Sequence, residues 1–247
     1  MRTSTCFLLL ILTSSVYAQT EQTPNSLVPI DRSRLPRTGE TVSIQDLHIP
    51  PQAVKELQRS QSALKSGDVR SSAHHLEKAL LIYPNCLEAH NNLGARYIDL
   101  QQYEKAEAEF QKAIEIDPRV MQPFNNLSVA LFLQQHYTDA EAAARRALGI
   151  NPQHPTARYM LGAILATEKR NPEEAMELLR QTRNEFPDAR LLLAQLMIRQ
   201  GAVEEGKNEL REYLALPGAE KRQNVERWLA RLTQTPASKL TAQPARP

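Results

Sequence analysis

A period of 34 residues constrains this chain more than any other feature. Pro84, Pro118 and Pro152 recur at that spacing. So do Ala79, Ala113 and Ala147, and so do Leu93, Leu127 and Leu161. The stretch from Leu87 to Arg119, LEAHNNLGARYIDLQQYEKAEAEFQKAIEIDPR, shows what is being repeated. Leu93, Gly94 and Tyr97 share one helical face, and Ala106, Phe110 and Ala113 share another. A small residue where two helices cross lets their backbones approach, and the larger side chains fill the seam. Gln101-Gln102 leaves room only for a tight turn, so the two helices run antiparallel. Pro118 closes the unit. One such pair cannot bury its apolar face alone and must stack on its neighbours.

This pattern resembles the tetratricopeptide repeat (TPR) family. The second repeat keeps Leu93, Gly94, Tyr97, Ala106, Phe110, Ala113 and Pro118 at the family's positions, and departs at the first-helix Trp position, where His90 stands. The resemblance implies an all-α fold, an α-solenoid in which antiparallel helix pairs build a right-handed superhelix. It covers about residues 51–216. The first repeat starts near Pro51, with a polar first helix and a turn at Gly67-Asp68. The third, from about Met121 to His154, places Phe124, Leu127, Leu131, Ala140, Ala144, Ala147 and Pro152 at packing positions. Thr138 and Glu141 have the spacing of a capping box there. The fourth, from about Pro155 to Pro187, keeps Leu161, Gly162 and Leu165 but carries one extra residue, expected in the loop before Asn171-Pro172. A fifth, degenerate pair turns at Gly201. Residues 217–233 hold an amphipathic helix with Val225, Trp228, Leu229 and Leu232, expected to cap the open end.

The ends differ in kind. Residues 1–18 have the form of a signal peptide: Arg2, then the apolar run Phe7 to Leu12, then small residues at Val16 and Ala18 that set cleavage before Gln19. Residues 19–50 form a flexible linker rich in proline, with Thr41 to Ile49 suited to an extended strap. Residues 234–247 are expected to be a disordered tail. The protein is therefore expected to be exported, periplasmic or secreted, with no integral membrane segment once the leader is removed. Loss of Arg2 would leave basic residues in excess of acidic ones by one, a balance that argues against a nucleic-acid partner. Cys86 would be the one thiol of the mature chain, so no internal disulfide is available; it reads as a small, partly buried hydrophobe in an inter-repeat link, with an intermolecular disulfide as the alternative.

No catalytic constellation emerges. The histidines lack the i,i+4 spacing of a helical metal site, and there is no glycine-rich phosphate loop or nucleophile elbow. His90 falls at a packing position. Glu104, Lys105, Glu107, Glu109 and Lys112 read as a solvated helix face. Asn126-Leu127-Ser128 matches a glycosylation pattern but lies inside a helix. An enzyme is not expected, nor is a cofactor or a metal.

What remains is a surface. The resemblance implies that the first helix of each pair lines a concave groove. The residues expected to bind a partner there are Asn91, Asn92, Arg96, Asn125, Asn126, Val129, Phe132 and Tyr159. The doublets Asn91-Asn92 and Asn125-Asn126 stand one repeat apart. An amide offers both donor and acceptor, which suits the backbone of an extended peptide. Asn is also common at that family position whatever the ligand, so both readings stand. Arg96 has no matching Lys in the next first helix, where Phe132 and Leu133 stand, so a carboxylate clamp of the kind some family members use is not expected. The expected function is a non-enzymatic protein-protein interaction module binding an extended peptide or partner helix in that groove. The alternatives are a structural subunit of a cell-envelope assembly and an accessory protein of a secreted enzyme.

Overall fold

The computed structural model describes residues 49–217 and 221–234. The leader, nearly all of the 19–50 linker with its strap, and the tail from 235 lie outside the described residues. Eleven helices follow in order: α1 (Pro51–Lys65), α2 (Val69–Ile82), α3 (Leu87–Asp99), α4 (Tyr103–Ile116), α5 (Met121–Leu133), α6 (Tyr137–Ile150), α7 (Pro155–Glu168), α8 (Pro172–Thr182), α9 (Asp188–Arg199), α10 (Val203–Ala215) and α11 (Arg222–Gln234). There is no strand among the described residues. The fold is all-α, an α-solenoid of helix pairs. It divides into two compact units within α5, between Ala130 and Leu131.

Within the first unit, α1 packs on α2, α2 on α3, and α3 on α4. One core cluster there unites Leu57, Ala73, Leu76, Ala79, Cys86, Ala89 and Leu93. Phe110 is fully buried beside Gly94, and a Cβ added at 94 would come within 2.6 Å of its ring. Burial of a side chain of that size contributes about 1.5–3 kcal/mol. Cys86 is buried and free, as its place in the link suggested, and desolvation pushes its thiol up to about 11.

In the second unit, α7 packs on α8 and α9 on α10, and α11 lies against α10. Leu191, Ala194, Leu210 and Tyr213 form a cluster with Val225 and Leu232 of α11, and Trp228 and Leu229 pack at its edge. The amphipathic face read in the sequence is thus the face that meets the fifth pair.

The turns inside the pairs share one device. A residue with positive φ stands in each: Gly67 (79°), Gln101 (59°), Gln135 (66°), Lys169 (59°) and Gly201 (90°). Only two of these are glycine. Elsewhere the backbone bonds that close the turn hold a residue with a Cβ in the left-handed region, against a cost of about 1–2 kcal/mol. Gln101 N donates to Ile98 O and Gln102 N to Tyr97 O, each at 2.8 Å.

Two local expectations are corrected. The extra residue of the fourth pair is not in the loop. The link 169–171 is as long as 100–102 and 134–136, and α7 has 14 residues where α3 and α5 have 13. The helix runs on by one residue, then Lys169 and Asn171 (φ 42°) step the chain into Pro172. The capping box at Thr138 does not form either. His136 is the N-cap of α6 and gives no side-chain bond. Closure of the turn by His136 N on Leu131 O starts the helix two residues earlier than a Thr138 cap would. Glu141 then turns to Arg145 and Arg170, each at 2.7 Å.

Candidate functional site

The sequence periodicity sets Asn91-Asn92 on α3 and Asn125-Asn126 on α5, both within the first unit. There the amides join hands. Asn126 donates Nδ2 to Asn91 Oδ1 at 2.9 Å, and Asn125 donates Nδ2 to Asn126 Oδ1 at 3.3 Å. The result is a ladder that runs from α5 to α3. Its contact crosses the register by one, 35 residues instead of 34. Asn125 is buried, and its Oδ1 has no hydrogen-bond partner. An amide carbonyl left in that state costs about 1–3 kcal/mol, so this end of the ladder is unpaired and closed to solvent. Ser128, fully buried below, donates its hydroxyl to Asn125 O at 2.6 Å.

Asn92 takes another direction. It lines a small pocket with Leu57, Ser60, Gln61 and Leu64 of α1, Leu76 of α2, and Arg96. Ser60 is held by Ser72, 2.9 Å between hydroxyls. Arg96 is buried, with Nε 2.8 Å from Asp99 Oδ2. The distance makes an ion pair, but the N–H is not aimed at the carboxylate. A guanidinium held this way still has donors to give. Val129, expected on the groove wall, is buried. The α1 members of the pocket were not singled out by the sequence; the signal available was the 34-residue period applied to the first repeat.

Phe132 and Tyr159 lie in the second unit, and the structure removes both from any binding wall. Phe132 is 2% exposed and Tyr159 0%. Phe132 tilts against Tyr137 with ring centroids 5.3 Å apart, and Tyr159 stacks on Phe186 at 4.6 Å. A large aromatic face gains more from a partner ring in the interior than from water; Phe132 finds one just across its turn and Tyr159 finds one beyond the next helix. The Tyr159 hydroxyl is buried without a partner, and this burial, with Asp188 nearby, drives its pKa well up.

The polar residues that sequence reading passed over are Glu56 and His75, which meet across the first pair with Nδ1 2.7 Å from Oε2. His90 is a core histidine, as its packing position suggested, and both ring nitrogens have a polar partner: Nδ1 lies 2.6 Å from Glu109 Oε2 and Nε2 2.7 Å from Pro84 O. Glu109 therefore leaves the solvated face assigned to it. Burial lifts its carboxyl, but the bonds from His90 and Lys112 outweigh this and hold it below the ordinary value. No group of three or more His, Cys, Asp or Glu suited to a metal occurs among the described residues, and no helix there is long and apolar enough to cross a membrane.

Comparison with known proteins agrees with this architecture. Two tetratricopeptide repeat models match, one over residues 87–120 and the other over 131–189 and 166–222. No curated protein matches significantly. Among solved structures, pilF of Pseudomonas aeruginosa is 20% identical with a TM-score of 0.62, the match covering 77% of this chain and 87% of that one. MamA of Desulfovibrio magneticus RS-1, solved from residue 41 to its end, is 16% identical, with a TM-score of 0.61 and coverage of 73% and 98%. YrrB, described as a TPR protein with an unusual peptide-binding site, is 18% identical with a TM-score of 0.58 and coverage of 74% and 92%. At such identities the likeness speaks for the fold. Helix pairs in register, the 34-residue period and the family models lead to one conclusion: the chain belongs to the tetratricopeptide repeat family.

Proposed function

We propose that this protein is a non-enzymatic interaction module, acting outside the cytoplasm, that takes an extended peptide against the first helices of its first unit. The family supports the coarser statement, that the chain is a protein-protein interaction module. The observation that carries the finer one is the amide ladder between α5 and α3, with the Asn92–Arg96 pocket on that same α3. A peptide backbone offers a donor and an acceptor at each residue, which is the chemistry that an amide ladder and a guanidinium can meet. YrrB, which is similar in fold, is described as having a peptide-binding site. The leader-like residues 1–18 support export.

The test is a peptide array probed with the full chain. Asn92→Ala is expected to weaken the selected peptides by about 0.5–1.5 kcal/mol, and Asn126→Ala by a similar amount. Equal binding by wild type and both variants would overturn the reading. A second reading, that of a structural subunit, is favoured by the Asn126–Asn91 bond itself, since it spends one amide on joining successive repeats. Under it, Asn126→Ala lowers stability and the array stays blank.

A further inference from the structure

The pocket between α1 and α3 is apolar on one side and cationic on the other. Leu57 and Leu76 are buried in its wall, and Leu64 is half-buried at its α1 edge. Arg96 bounds it on α3, buried, with Nε near the Asp99 carboxylate but not aimed at it. An occupant that fits this place offers an aliphatic side chain at one end and an anionic acceptor at the other.

The chain carries such a segment directly ahead of α1. Residues 41–49 read TVSIQDLHI, and α1 begins at Pro51. Residues 41–48 lie outside the described residues. Ile49 and Pro50 are described and half-buried, and Pro50 (φ −53°, ψ 136°) brings the chain to the helix in extended form. Alternate residues of an extended segment share a side, which groups Val42 and Ile44 with Asp46. The aliphatic side chains and the acid thus come on one side of one short stretch.

Length and register fit as well. An extended segment advances about 3.3 Å per residue and a helix about 1.5 Å. Asp46 stands five residues before Pro51, so a path folded back along α1 carries it about 17 Å, to the level of Ser62. The 34-residue period sets Arg96 of α3 level with that same Ser62. Ile44 is carried about 23 Å, and Leu64 stands about 20 Å along the helix. Two steps of the extended segment, about 6.6 Å, nearly match four residues of helix, about 6 Å, so the two sides stay in register. Asp46 comes abreast of the guanidinium and Ile44 abreast of Leu64.

We propose that the stretch 41–48 folds back along α1 and fills the α1–α3 pocket of its own chain, with Asp46 against Arg96 and Ile44 against Leu64, so that an incoming peptide must displace it. The contact stands on the pocket and on the register; its consequence for an incoming peptide rests on the function proposed above. A segment on so short a tether is present at an effective concentration on the order of millimolar, so even a contact of millimolar strength is made about half the time. A peptide competing with a segment that fills half of the pockets binds about twofold more weakly, and about tenfold more weakly at nine-tenths filling.

A nitroxide on the full chain tests the contact. The label sits on Gln45→Cys, on the side of the segment away from Asp46, in a chain that also carries Cys6→Ser. The amides of Gln61, Leu64, Asn92 and Arg96 are expected to broaden, and the double change Ile44→Ser, Asp46→Asn is expected to relieve that broadening. Its absence, or its persistence in the double variant, overturns the proposal. Mixing nitroxide chains with isotope-labelled chains that lack the label distinguishes a second copy: broadening that appears only in the mixture means that the pocket is filled from another molecule, which also overturns it. For peptides selected on the array, the double variant is expected to bind about twofold or more tightly than wild type. Equal affinity overturns the competition. An array blank for both chains overturns the peptide reading, and the nitroxide result then decides the contact by itself.

Discussion

Gly94 and Phe110 are in such close contact that a Cβ at 94 would stand 2.6 Å, 2.8 Å and 2.8 Å from three ring carbons. The ring is fully buried and has no open side to move into. Gly94→Ala is therefore expected to cost about 1–3 kcal/mol by overpacking, despite the gain in helix propensity that alanine brings. Chemical denaturation measures it. A variant as stable as wild type would mean that the α3–α4 seam is looser than described.

Phe132 and Tyr159 give a second prediction, now about stability. Phe132→Ala and Tyr159→Ala are each expected to cost about 3–5 kcal/mol, because each empties a filled place in the second unit. Tyr159→Phe is expected to be neutral or stabilising, since it deletes a buried hydroxyl that has no partner. Thermal melts of the three variants decide. Full stability in the alanine variants would return these rings to the surface.

The acid limb of the stability curve follows from Glu109. Its carboxyl is lifted by burial but held below the ordinary value by His90 and Lys112. The unfolded chain therefore binds a proton that the native state refuses. The resulting stabilisation is present above the unfolded value of 4.5 and is lost as the pH falls through the lower native value. Glu109→Gln is expected to be less stable than wild type at pH 7, by about 1–3 kcal/mol, with the gap closing toward about pH 3. A gap that stays constant with pH would contradict this assignment.

Cys86 should be slow to react. A thiol raised to about 11 is ionised to about one part in a thousand at pH 8, and the side chain is also buried. Alkylation of the native protein carrying Cys6→Ser is expected to proceed at the rate of unfolding or local opening, and mild denaturant should accelerate it steeply. Rapid labelling without denaturant would show an open link between α2 and α3.

The sequence by itself determined the helix pairs, because a 34-residue period with small residues at 94, 106 and 113 and an aromatic at 110 admits few other packings. It also placed Cys86 and His90 inside and located the helix around Trp228, since burial follows from helical phase alone. Side-chain choices between equivalent neighbours were not legible there. Asn126 reaches Asn91 and not Asn92, Glu141 turns to Arg170 and not to a cap, and Phe132 and Tyr159 face Tyr137 and Phe186 instead of a partner. In each case periodicity assigns a residue to a helix face, while rotamers and the neighbours across the seam choose which contact is made. The His75–Glu56 and His90–Glu109 contacts belong to both kinds. Their spacing of 34 and 19 residues is written in the sequence, but that His90 meets an acid and a carbonyl at once was decided only when the link at Pro84 folded back onto the second pair.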